Sequence, residues 1–225
     1  GLTFGLHTRI DDRVQEVVER IHAGNIYVNR NQIGAVVGSQ PFGGEGLSGT
    51  GPKAGGPNYL ARFTLFDAPK AESTDKAEAD LVSLRGALAR SSAAAEQTVL
   101  MPGPTGESNR LELRPRAPIL CLGPGDATRA AQKAAVERLG GRAVVVSGCL
   151  PPEELATVTG VSGALWWGDA AAGRAYAKAL AARKGQILPL ITAEPDAGHV
   201  LIERHLCVDT TASGGNAALL ADVGE

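Results

Sequence analysis

Between Gly34 and Gly56 the chain reads GAVVGSQPFGGEGLSGTGPKAGG, nine glycines around a single aromatic, Phe42. The flanks return at once to ordinary apolar periodicity, so the density is local. Glycine removes the Cβ and opens positive φ, which lets backbone N–H groups come close to a bound group. The stretch is short of Lys and Arg, so any anion it holds is held by the main chain. The chemistry this predicts is a backbone cradle for a small carboxylate or carbonyl, with one apolar wall. The alternative is a tight structural crossover.

Two further motifs carry residue types that do chemistry. Gly123-Pro124-Gly125-Asp126-Ala127-Thr128 follows an apolar strand and opens a helix, the place of a dinucleotide fingerprint. It departs from that fingerprint in three ways. Thr128 stands at the third small position, Asp126 sets a carboxylate against a pyrophosphate, and the next strand ends Ser147-Gly148-Cys149 without an acid for a ribose hydroxyl. A sheet without a cofactor is the reading favoured here. Cys207 shares a strand face with His205, but it lies between Leu206 and Val208 with no glycine elbow, which predicts a buried structural thiol.

Cys121, Cys149 and Cys207 are odd in number and form no CxxC, which argues for a reducing cytosol and against disulfides or a zinc site. His7, His22, His199 and His205 are scattered and predict no metal site. The 225 residues are 44% apolar and 20% charged, enough to bury a core in one or two domains. A net charge of −2 without a basic block gives no electrostatic reason to expect nucleic acid. No run approaches the roughly 18 apolar residues of a membrane span.

The elements that must position these residues follow from periodicity. Val14, Val17, Val18 and Ile21 repeat at helical spacing, with Asp11 and Asp12 at the positive end, predicting a helix over 11–23 stopped by Gly24 and Asn25. Ile26–Val28 is a short strand that delivers Asn29–Asn31 and then the glycine loop. Residues 59–66, YLARFTLF, read as another strand. Residues 67–97 read as a linker holding a helix near 76–90, and a short strand is expected at 110–114. From there strands at 118–124, 143–148, ALWWGD and ILPLITA alternate with helices at 126–139, from PPEELATV, and at 170–184. The first of these helices is expected to bury Ala127, Ala131, Ala134, Ala135 and Leu139. That alternation predicts a parallel sheet with helices on both faces. The segment from His199 onward starts as a strand and ends in a small-residue tail.

The opening GLTFGLHTRI has no initiator Met and starts inside a strand-like run, which reads as the C-terminal piece of a longer protein. At this point a family is recognisable. GLTFGLHTRID, AGNIYVNRN and PFGGEGLSGTGPKAGGP resemble the C-terminal end of the aldehyde dehydrogenase catalytic domain. More closely, they resemble the L-glutamate γ-semialdehyde (1-pyrroline-5-carboxylate) dehydrogenase module of the bifunctional proline utilization A flavoproteins. PFGG marks aldehyde dehydrogenases at large, and GAVVGSQPFGGEGLSGTGPKAGGP the glutamate-semialdehyde branch. PGPTGESNRLELRPR and ERHLCVDTTASGGNAALL look like the extra C-terminal domain and terminal motif of the longer members.

The resemblance implies a fold class: α/β, the C-terminal piece of an aldehyde dehydrogenase catalytic domain followed by a Rossmann-like parallel-sheet domain. The expected division is 1–66, a linker over 67–98, and 99–225. It also implies that Gly34 and Ala35 anchor the substrate's α-carboxylate by their amides while Phe42 packs against its methylenes. The family's catalytic Cys and Glu match no residue here, so the chain alone is expected to be inactive, with no catalytic, cofactor-binding or metal residue of its own. NAD would bind mostly upstream, and FAD in an absent proline dehydrogenase domain. A cytoplasmic homo-oligomer acting on glutamate semialdehyde is the setting implied. The tail from Thr210 to Leu220 would then dock over the cavity between two active sites. The competing reading is a non-catalytic domain that scaffolds an oligomer or seals a cavity.

Overall fold

The computed structural model describes every residue except 50, 65, 66, 68, 69, 73, 74, 76, 93, 94 and 212–225. Along the chain run β1 (Thr3–Leu6), α1 (Asp11–Arg20), β2 (Asn25–Val28), α2 (Leu81–Arg90), β3 (Gln97–Met101) and β4 (Glu107–Pro115). Then come β5 (Ile119–Cys121), α3 (Asp126–Arg138), β6 (Ala143–Val145), α4 (Pro152–Leu155), β7 (Gly163–Leu165), α5 (Ala170–Ala181), β8 (Leu190–Ile191), α6 (Ala197–Val200) and β9 (Leu201–Asp209). The fold is α/β, with parallel strand pairs in both of its sheets.

Two compact units form, and neither is continuous in sequence. Of the described residues, the first takes those of 1–60, 96–114 and 202–211, and the second those of 61–95 and 115–201. The sequence division at 66 and 98 therefore differs from the spatial one. The reason is β9, which pairs in parallel with β2 (Asn25 opposite His205, Tyr27 opposite Cys207) and so returns the last strand to the first unit.

The first unit is a sheet of order β1-β2-β9-β4-β3. Alternation along its strands sorts the side chains. Ile26, Val28, Leu206 and Val208 pack with Val18 of α1 in one apolar cluster. Asn25, Tyr27, His205 and Cys207 alternate with them, so they project from the opposite face, and all four are fully buried. α1 has Asp11 and Asp12 in its first turn and ends at Arg20, three residues before the predicted stop, because Ile21 turns extended while its side chain stays on the cluster. Gly24 is required for a different reason. A Cβ there would lie 1.9 Å from the Gly43 carbonyl oxygen, so β2 and the glycine loop touch backbone to backbone.

The second unit is a parallel sheet of order β6-β5-β7-β8 with helices on both faces, as the alternation predicts. Leu120, Val144, Ala164 and Trp166 meet Leu84 of α2, Leu155 of α4 and Tyr176 and Leu180 of α5. Ile119, Cys121 and Leu165 meet Ala135 and Val136 of α3. Side-chain caps fix two of these helices: Asp80 accepts the Val82 and Ser83 amides, and Asp169 those of Ala171 and Ala172.

Three expectations are corrected. The described residues of the run 59–66 form no strand: Leu60–Phe63 is a 3₁₀ turn with Leu60 and Phe63 exposed, and 65 and 66 lie outside the described residues. Of the predicted α3 face, Ala135 and Leu139 pack on the core, but Ala127, Ala131 and Ala134 are exposed and Arg129, Gln132 and Val136 are buried, because two polar side chains serve the loop before it. The strand expected from His199 begins only at Leu201, since Asp196 and His199 close a capping box over α6. β3 was not anticipated. It is an edge strand paired antiparallel with β4, Gln97 opposite Leu113. The expected helix near 76–90 starts at Leu81, and the tail motif beyond Thr211 lies outside the described residues.

Candidate functional site

The glycine loop leaves β2 through Asn29, whose φ of 60° is the left-handed conformation that Asn tolerates and whose Oδ1 accepts the Thr8 amide at 2.9 Å. Further along, Asn31 Oδ1 accepts the Ile33 amide at 3.1 Å and Gln40 Oε1 the Val36 amide at 3.1 Å. Between those satisfied amides lie Gly34 and Ala35. Gly34 is exposed with φ 72° and open space where a Cβ would be, and Ala35 is half-buried. Among the described residues neither amide has a hydrogen-bond partner. Two adjacent free N–H groups are what an oxyanion needs. Phe42 is half-buried and held by paired backbone bonds to Ala54 at 3.0 and 2.9 Å. Among the described residues no hydrogen bond ties Phe42 to Gly34 or Ala35.

A buried polar web fixes the loop to the sheet, and sequence reading missed it. Gln40 is 2% exposed and donates to Glu107 Oε1 at 2.8 Å, and Glu107 Oε2 accepts from Arg30 at 2.6 Å. Asn109 donates to the same carboxylate at 2.8 Å and accepts from His205 Nε2 at 3.1 Å. Asn25 donates to the Pro41 carbonyl at 2.8 Å, and its Oδ1 accepts from the Gly43 amide at 3.1 Å and from Lys53 Nζ at 2.9 Å. Lys53 also donates to the Gly43 carbonyl. Its own amide meets Glu203 Oε2 at 2.5 Å, and Glu203 Oε1 accepts from Asn58 at 2.8 Å. The trace of this web in the sequence is the alternation of Asn25 and Tyr27, and of Glu203, His205 and Cys207, against apolar neighbours.

Burial governs the titrating groups in the web. Desolvation pushes Lys53 down to about 8 and, with the Lys53 charge, His205 down to about 4. Desolvation pushes the Cys207 thiol up to about 12. Its Sγ accepts from Arg30 at 3.4 Å and Gln40 at 3.5 Å. His205 is engaged by Asn109 and Asn25, at 3.1 and 3.5 Å, and gives no hydrogen bond to Cys207 among the described residues. Glu107, the carboxylate beside this thiol, is already held by Arg30, Gln40 and Asn109, and a protonated, buried thiol in that setting is a structural group.

The fingerprint-like loop of the second unit has its amides already occupied. Gln132 brackets Gly123, accepting its N–H and donating to its carbonyl at 2.9 Å each, and the Gly125 N–H donates to Asp75 Oδ2 at 3.2 Å. Asp126, whose carboxylate argues against a pyrophosphate here, is 98% exposed and pairs with Arg129 at 3.0 Å. The four histidines do not converge: among the described residues no group of three His, Cys, Asp or Glu side chains could hold a metal. No described helix is long and apolar enough to cross a membrane.

Comparison with known proteins shows what this geometry is similar to. Residues 1–68, which hold β1, α1, β2 and the whole glycine loop, match the model of the Aldehyde dehydrogenase family. The match covers the first 68 of the 225 residues.

Beyond the aldehyde dehydrogenase match, 98% of the chain is similar to the Bifunctional protein PutA of Salmonella typhimurium at 37% identity and of Rhizobium meliloti at 39%. The chain spans about a fifth of those relatives' length, 20% and 22%. A 61-residue stretch is 52% identical to a 1-pyrroline-5-carboxylate dehydrogenase of Bacillus cereus, covering 27% of this chain and 12% of that protein. Among solved structures, Proline Utilization A (PutA) from Corynebacterium freiburgense matches with a TM-score of 0.55 at 25% identity, over 93% of this chain and 23% of that one.

Proposed function

We propose that this chain forms one wall of the L-glutamate γ-semialdehyde (1-pyrroline-5-carboxylate) dehydrogenase site of a bifunctional proline-catabolic enzyme, a cytoplasmic homo-oligomer. The observation that carries the reading is the pair of open amides at Gly34 and Ala35, set between satisfied neighbours on a loop that the buried web holds to the sheet. These amides donate to the substrate's α-carboxylate, and the half-buried Phe42 ring packs against its methylenes. The names of the similar proteins, PutA and 1-pyrroline-5-carboxylate dehydrogenase, support the substrate.

In this reading the nucleophilic Cys and the Glu that activates water come from outside these 225 residues, as does the site for NAD, which supplies a hydride acceptor when bound. The residues of this chain do not fit NAD at the one loop that resembles its fingerprint, since the Gly123 and Gly125 amides are spent on Gln132 and Asp75. FAD belongs to the proline dehydrogenase part. The occupied loop also favours a non-catalytic, scaffolding or cavity-sealing role for residues 61–95 and 115–201.

Kinetics of the complete enzyme test the assignment. A main-chain anchor contributes binding that ground and transition states share, so Ala35→Leu raises KM more than it lowers kcat. Charge-assisted hydrogen bonds contribute about 1.5–3 kcal/mol each, which corresponds to a loss of roughly ten- to a hundred-fold. Phe42→Ala acts in the same direction through lost packing. An unchanged KM in both variants removes the site.

A further inference from the structure

In the second unit the chain lies across its own sheet where a sheet of this topology takes ligands. From β5 the chain moves outward to β6, then returns past β5 to β7. The crevice beyond the carboxyl ends at such a reversal is the general ligand position of open α/β sheets. Ala71, Asp75, Ala77 and Ala79 engage that edge in strand order. The Ala71 amide donates to the Trp167 carbonyl, just past β7, at 3.0 Å. Asp75 accepts the Gly125 amide, past β5. Past β6, Cys149 receives the Ala79 amide and donates its own to the Ala77 carbonyl, both at 2.9 Å.

Asp75 sits at the centre of this strap. Its Oδ2 accepts Arg129 Nη2 at 2.5 Å as well as the Gly125 amide at 3.2 Å. Arg129 is 1% exposed and cannot give up its charge. Its remaining partners are the Gly148 carbonyl at 2.7 Å and the exposed Asp126 at 3.0 Å, and its buried Nε has no partner among the described residues. Gly125 caps the 13-residue α3, so the helix dipole adds to the guanidinium. A desolvated guanidinium, a helix-terminal amide and a carboxylate between them have the composition of an occupied anion site.

We propose that these strand ends form an oxyanion subsite whose built-in occupant is the Asp75 carboxylate, so that a free phosphate-class anion takes its place on Arg129 and Gly125 once that carboxylate is removed. The ligand is a single small oxyanion: a whole dinucleotide would have to displace the strap from all three strand ends. This inference stands apart from the carboxylate anchor on the glycine loop.

The test is rescue of the full chain by inorganic phosphate. Asp75→Ala leaves Arg129 buried without its inner anion, and in chloride the thermal midpoint falls by roughly 6–15 °C. Phosphate at equal ionic strength restores at least half of that loss. The parent chain responds to phosphate no more than to chloride, and adding Arg129→Met to the variant abolishes the rescue. If Asp75→Ala does not fold, Asp75→Asn keeps the shape, loses the charge and gives the same readout. Variants that gain nothing from phosphate beyond chloride, or a parent chain that gains as much, overturn the proposal.

Discussion

Glu45, the acid that follows the PFGG turn, and Arg204 of β9 form a buried two-toothed ion pair. Arg204 Nη2 reaches the two carboxylate oxygens at 2.9 and 3.1 Å, and Nε reaches Oε2 at 3.3 Å. Arg204 Nη1 also donates to the Val18 carbonyl at 3.2 Å, so one guanidinium joins the loop, β9 and α1. Burial alone would raise the Glu45 carboxyl, but the Arg204 and His22 contacts hold it below the usual range. Arg204→Met strands that carboxylate and is expected to destabilise the chain by about 3–5 kcal/mol at pH 7. Denaturant unfolding measures this, and a change under 1 kcal/mol contradicts it. The parent's contribution from Glu45 is present above about pH 4.5 and lost as pH falls through the lowered folded value.

His205 gives the fold an acid sensitivity at milder pH. Its folded value of about 4 lies below the ordinary 6.5, so between those values only the unfolded chain takes up this proton. Stability from this group is complete above pH 6.5 and falls on acidification, by about 2 kcal/mol at pH 5. His205→Gln is expected to remove that slope between pH 6.5 and 5. An equal slope in parent and variant denies it.

Lys53 gives the same sign at high pH. Its ammonium is buried at a folded value of about 8 against 10.5 unfolded, so the unfolded chain holds more protons in that interval. Stability from Lys53 therefore rises as pH climbs from 8 toward 10.5. Relative to Lys53→Met, the parent gains about 1.6 kcal/mol from pH 8 to 9.5. The comparison with the variant cancels the ionisation of other groups, and a flat difference contradicts it.

The isolated 225-residue chain is expected to oxidise no aldehyde. Its best-placed thiol, Cys207, is fully buried and pushed up to about 12, and the Glu107 carboxylate beside it is already paired with Arg30. With glutamate semialdehyde and NAD, the rate should equal the enzyme-free blank. Turnover lost in Cys207→Ala would restore that cysteine as a nucleophile.

What the sequence made legible was local. α1, β2 and the β5-to-β8 alternation follow from hydrophobic period, and Gly34, Ala35 and Phe42 were named from the loop and the resemblance. The pairing of Asn25 with His205 was not legible, because period-2 patterning marks a face and not a partner 180 residues away. The α3 face was misplaced because alanines suit either side of a helix, whereas Arg129 and Gln132 are buried for hydrogen bonds that only the folded loop supplies. YLARFTLF has strand composition, but its described residues end in a 3₁₀ turn.

The most direct test of the carboxylate anchor compares two substrates in the complete enzyme, with and without Ala35→Leu. One is glutamate semialdehyde and the other an aldehyde of equal length that lacks the α-carboxylate. If the Gly34 and Ala35 amides hold the carboxylate, the variant's preference for the semialdehyde in kcat/KM falls at least tenfold, while the plain aldehyde is turned over almost as before. A preference that survives the substitution intact would contradict the account.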